Sequence, residues 1–135
     1  MMKTVKTILV SVFGALALAL LVSCATQSRT LPDQLTAAEI FQRAQDAADR
    51  GDYKLGITFY EACQQRYPDD KDHKVWAAYE IAFLYHKMGK NDTAATLIDA
   101  LLTEYSNQGD SVPPAPLLLS QKLKERLAAS APKKS

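Results

Sequence analysis

Arg50-Gly51-Asp52-Tyr53 and Met88-Gly89-Lys90-Asn91, residues 50–53 and 88–91, decide the fold of this chain. Each is a glycine-centred break between two stretches of helical spacing. Glycine ends helices because it enters the left-handed backbone region without a Cβ penalty. The two stops stand 38 residues apart. Helix–turn–helix units recurring near such a period indicate a stacked-repeat architecture.

Working outward from Gly51, Thr36-Ala37-Ala38-Glu39 forms a capping box. The threonine hydroxyl accepts from the backbone of Glu39, and Glu39 reaches back. Leu35 and Ile40 stand where a hydrophobic staple would lock the chain. A first helix is predicted over Ala37–Arg50. Asp52 can cap a second over Tyr53–Arg66, which Pro68 prevents from continuing. Asp69 to His73 reads as a polar turn. A third helix is predicted over Lys74–Met88, and a fourth, capped by Asn91 or Asp92, over Thr93–Tyr105. Ser106 to Pro114 reads as a loop. Leu119, Leu123 and Leu127 mark one stripe of a fifth helix over Pro116–Ala129, with Lys122, Lys124, Glu125 and Arg126 towards water. No strand pattern appears, so the expected class is all-α.

The residues around Gly51 resemble the tetratricopeptide repeat over Ala37 to Asp70. Ala44 falls on a small position of that family's first helix. Tyr53 falls on its aromatic after the turn, Gly56 and Cys63 on the small positions of its second helix, Tyr60 on the large one, and Pro68 on the closing proline. A second unit fits Val75 to about Gln108, through Ile81, Ala82, Tyr85, Gly89, Ala94, Ile98 and Leu101. Arg43, Ala47, Asn91 and Ser106 depart from the pattern. The expected organisation is therefore residues 36–70 and 71–108 as two repeats and 109–135 as a loop, a capping helix and a frayed tail. Such repeats usually need three units to bury a continuous core. The leucine stripe is accordingly expected to cover the fourth helix, or to dock on a second copy or a partner.

The N-terminus carries a different signal. Lys3 and Lys6 precede an apolar run, Ile8 to Val22, that is too short to span a bilayer and suits a signal-peptide core. Leu21-Val22-Ser23-Cys24 closes it and resembles the bacterial lipobox. That resemblance implies a cleaved signal peptide, 1–23, and a diacylglycerol on Cys24, with no other cofactor. Residues 24–35 would be a flexible tether, its eleven residues after Cys24 reaching at most about 36 Å. Ala25 is not the aspartate that holds lipoproteins in the inner membrane of enteric bacteria, which points to the outer membrane.

Composition sets limits on function. Losing Lys3 and Lys6 with the signal peptide turns a formal charge of +1 into −1. A near-neutral chain gives no case for nucleic acid, which usually demands a basic face. With Cys24 lipidated, Cys63 has no intramolecular partner and reads as a small apolar residue on a buried helix face. The two histidines, His73 and His86, join no catalytic or metal motif, so the chain is expected not to be an enzyme.

In the tetratricopeptide family the first helix of each unit lines a concave, ligand-holding surface. Helix three would present Trp76, Tyr79, Phe83, His86 and Lys87 there, and helix one Phe41, Gln45, Ala48 and Asp49. The aromatic wall is either open or covered by helix one or the C-terminal helix. The lipobox and repeats together resemble envelope lipoproteins and adaptors, such as the tetratricopeptide lipoprotein of the outer-membrane β-barrel assembly machine and coordinators of the Tol-Pal type. The resemblance implies a non-enzymatic, membrane-anchored scaffold for an envelope protein or peptide. The competing expectation is a periplasmic carrier, with the aromatic wall holding a small apolar ligand for a transporter.

Overall fold

A computed structural model describes residues 31–105, 108 and 111–130. The readings of residues 1–23 and Cys24 lie outside these. The class is all-α, with helices α1 Ala37–Asp49, α2 Tyr53–Arg66, α3 Lys71–Lys87, α4 Asn91–Tyr105 and α5 Pro114–Ser130. Helices α1 and α2 form one antiparallel hairpin and α3 and α4 a second, stacked through α2 and α3. Helix α5 packs on α4 and α3 as α3 packs on α2 and α1. It thus occupies the place of a third unit's first helix.

Local chemistry explains the boundaries. The capping box forms as expected, with the Glu39 amide donating to Thr36 Oγ1 at 3.3 Å and the Thr36 amide to Glu39 Oε2 at 2.8 Å. Leu35 and Ile40 meet in the same core cluster. The two glycine stops share one geometry. Gly51 has φ 81° and Gly89 φ 74°. The Gly51 and Asp52 amides donate to the Ala48 and Ala47 carbonyls, as those of Gly89 and Lys90 donate to His86 and Tyr85. Each is a complete Schellman closure, which satisfies two orphan carbonyls at a helix end. Asp52 caps α2 through the Leu55 amide at 3.2 Å.

Three starts differ from expectation. Helix α3 begins at Lys71 rather than Lys74, because Asp70 accepts from the His73 amide at 3.1 Å and draws most of the expected turn into the helix. Neither Asn91 nor Asp92 caps α4. Its hydrogen bonding begins at the Lys90 carbonyl, and Asn91 Oδ1 is taken by His86 Nδ1 at 2.8 Å. Helix α5 begins at Pro114, which leaves Pro116 buried inside the first turn. Proline is tolerated there because first-turn amides have no helical partner.

Two apolar clusters share α3. One joins Ile40 and Ala44 of α1, Ile57, Tyr60 and Cys63 of α2, and Ala77, Ile81 and Leu84 of α3. The other joins Val75, Tyr79 and Ala82 of α3, Ala94, Ile98 and Leu101 of α4, and Leu123 and Leu127 of α5. The leucine stripe is therefore used within the chain, not against a second copy. Its buried edge is Pro116, Ser120, Leu123 and Leu127, with Leu119 half-buried beside it. Cys63 is buried, its thiol 3.6 Å from the Ala37 carbonyl.

The expected tether is shorter than its sequence suggests. Arg66 donates through Nη1 to the Pro32 carbonyl at 2.7 Å and through Nη2 to Leu31 at 3.3 Å. The Tyr67 hydroxyl donates to the Leu35 carbonyl. Leu31 and Leu35 pack on the first cluster, so residues 31–35 are strapped across the C-terminal end of α2.

Candidate binding groove

Stacking the hairpins brings the first helices, α1 and α3, side by side, and a cavity of about 530 Å³ opens between them. Gln42, Gln45, Ala48 and Asp49 of α1 form one wall. Glu80, Phe83, Leu84 and Lys87 of α3 form the other, with Tyr53 and Tyr60 reaching it from α2. Tyr60, only 1% exposed, makes the floor, while Gln45, Asp49 and Lys87 are exposed at the rim. Gly56 lets these helices close. A Cβ there would lie 3.2 Å from the Ala44 carbonyl oxygen and 3.0 Å from Leu84 Cδ1.

Five of the nine expected groove residues line this cavity: Gln45, Ala48, Asp49, Phe83 and Lys87. The other four lie elsewhere. Phe41 packs edge-on against Tyr60 and His73, at 4.9 and 5.5 Å between centroids. His86 bonds Asn91 across the turn. Trp76 and Tyr79 belong to the cluster that α5 completes, and Tyr79 is 9% exposed. The ladder Trp76, Tyr79, Phe83 and His86 runs along α3 with centroids 6.0–6.3 Å apart. Of its members, Phe83 alone also lines the cavity between α1 and α3.

Sequence reasoning missed Gln42, Tyr53, Tyr60, Glu80 and Leu84. A signal for Glu80 existed. It is the only acidic or basic residue between Lys74 and His86, in a run of apolar and aromatic residues. Burial pushes the Glu80 carboxyl above its ordinary value, and the charge of Asp49 across the groove pushes it further. The Tyr60 phenol is pushed up by burial and then by Glu80 and Asp49. The groove floor is thus an electronegative place. Among the described residues no group of three His, Cys, Asp or Glu is placed to hold a metal.

A family model described as tetratricopeptide repeat matches residues 76–107, which cover most of α3 and all of α4. Residues 76–107 are thus similar to a tetratricopeptide repeat. The α1–α2 hairpin lies outside that match, although more of the family's positions are legible there, and both hairpins close on the same glycine geometry. An uncharacterized protein of Treponema pallidum (strain Nichols) is 26% identical over 106 residues, covering 76% of this chain. The aligned part spans 42% of that relative's length. No solved structure matches significantly. The stacking of the two hairpins accounts for the groove, since it sets first helix against first helix.

Glu80 makes a stability test possible. Its raised value in the fold means the protonated form is favoured. Its stabilising contribution is complete below the ordinary glutamate range and is lost as pH rises through the raised value. Ionised Glu80 therefore costs stability at neutral pH. Glu80→Gln is expected to melt higher than wild type at about pH 7, and the gap should close at about pH 4. Equal melting temperatures at both pH values would contradict this.

Proposed function

We propose that this chain is a non-enzymatic scaffold, tethered to a bacterial membrane through Cys24, that holds a peptide segment of an envelope protein between α1 and α3. The observation that carries the reading is the cavity between the two first helices, with exposed polar side chains at its rim and an aromatic floor. Tetratricopeptide domains generally bind proteins, and a groove of this size suits a short segment better than a flat interface does. The lipobox supports the tether, and Ala25 supports the outer membrane as its site. The carrier reading draws on Trp76, Tyr79 and Phe83, and these pack against the cluster that α5 completes, which favours the scaffold.

Two measurements test it. In cells given an alkynyl fatty acid, wild type is expected to be labelled and membrane-bound, and Cys24→Ser to be neither. Lipid-independent membrane binding by Cys24→Ser would remove the tether. A photo-crosslinker at Gln45 is expected to capture a protein that one at Lys122, on the outer face of α5, does not. Equal capture at both positions would remove the groove.

A further inference from the structure

Asp49 and Glu80 face each other across the groove from α1 and α3. Among the described residues no cation comes within 4.0 Å of either. Lys87 shares the cavity wall two helical turns beyond Glu80, and the charge most felt by Glu80 is the repulsive one of Asp49. Beneath them the Tyr60 hydroxyl has no hydrogen-bond partner among the described residues, although its side chain is almost wholly buried. Among the described residues no side-chain oxygen sealed from solvent lacks a partner, so the phenol oxygen, bonded to none of them, opens on the cavity. Phe83 and Tyr53 add aromatic rings to the same cavity.

We propose that the groove receives a basic side chain of the bound peptide, arginine in preference to lysine, between Asp49 and Glu80. This rests on the scaffold reading above. A guanidinium satisfies the three features together. Its positive charge relieves the repulsion between two carboxylates. Its five N–H donors reach both acids and the phenol oxygen, and its flat face suits an aromatic neighbour. A lysine ammonium supplies the charge but not the fork. An acidic or apolar side chain leaves both carboxylates unpaired. A metal ion is less well served, because among the described residues no group of three His, Cys, Asp or Glu is placed to hold one.

The test uses the full chain in detergent micelles and three fluorescein-labelled nonapeptide pools. The pools are degenerate at eight positions and fixed at the centre as arginine, norleucine or glutamate. By anisotropy, the arginine pool is expected to bind about tenfold more tightly than the norleucine pool. The glutamate pool should bind weakest. Asp49→Asn with Glu80→Gln should bring the arginine pool down to the norleucine level, and raised salt should narrow the same gap. Equal affinities for the arginine and norleucine pools in wild type would overturn the proposal, as would an arginine preference that survives the double substitution. The scaffold reading fails separately. If Gln45→Arg, which crowds the rim, leaves binding of every pool unchanged, the peptides are held elsewhere. If no pool binds, the groove takes no peptide.

Discussion

Leu123→Asp is expected to strip α5 from the body of the protein and shift the emission of Trp76 to the red. Leu123 is 4% exposed, in a cluster with Val75, Tyr79, Ala82 and Ile98. A carboxylate buried in that apolar cluster costs several kcal/mol. The chain relieves that cost most cheaply by releasing α5, since nothing packs beyond it among the described elements. Release uncovers Tyr79 and the half-buried Trp76, the only tryptophan, so its fluorescence reports the event directly. The melting temperature should fall as well. Lys122→Asp, on the exposed face of the same helix, should change neither. An unshifted emission maximum in Leu123→Asp would mean that α5 is not the cover the second hairpin needs.

The second large effect is expected at Gly56. A methyl there already meets the Ala44 carbonyl oxygen at 3.2 Å, and backbone cannot swing aside. Valine adds two more carbons where α1, α2 and α3 converge. Gly56→Val is expected to cost about 3 kcal/mol, a large share of the stability of such a domain. That lowers the melting temperature by roughly 10–20 °C. Gly56→Ala should cost much less, because the gain in helix propensity offsets part of the crowding. Glycines of the turns behave differently. A side chain at Gly51 or Gly89 meets nothing within 4 Å, so its cost is the left-handed backbone alone, roughly 1–2 kcal/mol. Thermal melts of the three alanine variants beside Gly56→Val separate crowding from backbone strain.

Much of the fold could be read from local chemistry. Thr36 with Glu39, Gly51 with Asp52, and Gly89 each act within a few residues, so their effect survives folding unchanged. The failures are equally physical. Asp69 and Asp70 offer two possible caps, and Asp70 is the one that holds both the amide and the ring of His73. Asn91 would cap α4 in isolation, but His86 reaches its side chain across the turn. The groove was half legible for a related reason. Helical spacing shows which residues share a face, but not how far that face is rotated towards α1 or α5. Tyr79 and Glu80 are adjacent and about 100° apart around the axis. That difference sends the tyrosine under α5 and the carboxylate into the groove. Tyr60 falls on the large position of the repeat's second helix, yet the same ring is also the floor of a cavity, which only the stacking of two hairpins reveals.

The strap formed by residues 31–35 gives the domain a polarity. With five residues held by Arg66, Tyr67 and the first cluster, only six, Ala25 to Thr30, separate Leu31 from the proposed anchor at Cys24. That distance is at most about 25 Å, so the edge where α1 starts and α2 ends is the one the bilayer can hold. Asp49 and Lys87 lie at the opposite ends of α1 and α3, beside the glycine turns. The 13 residues of α1 put the charged mouth about 20 Å farther out. On the proposed anchor, the protein is a bollard rather than a mooring line. Its base is short and its receiving end points away from the lipid, so an incoming segment can be caught without first touching the membrane.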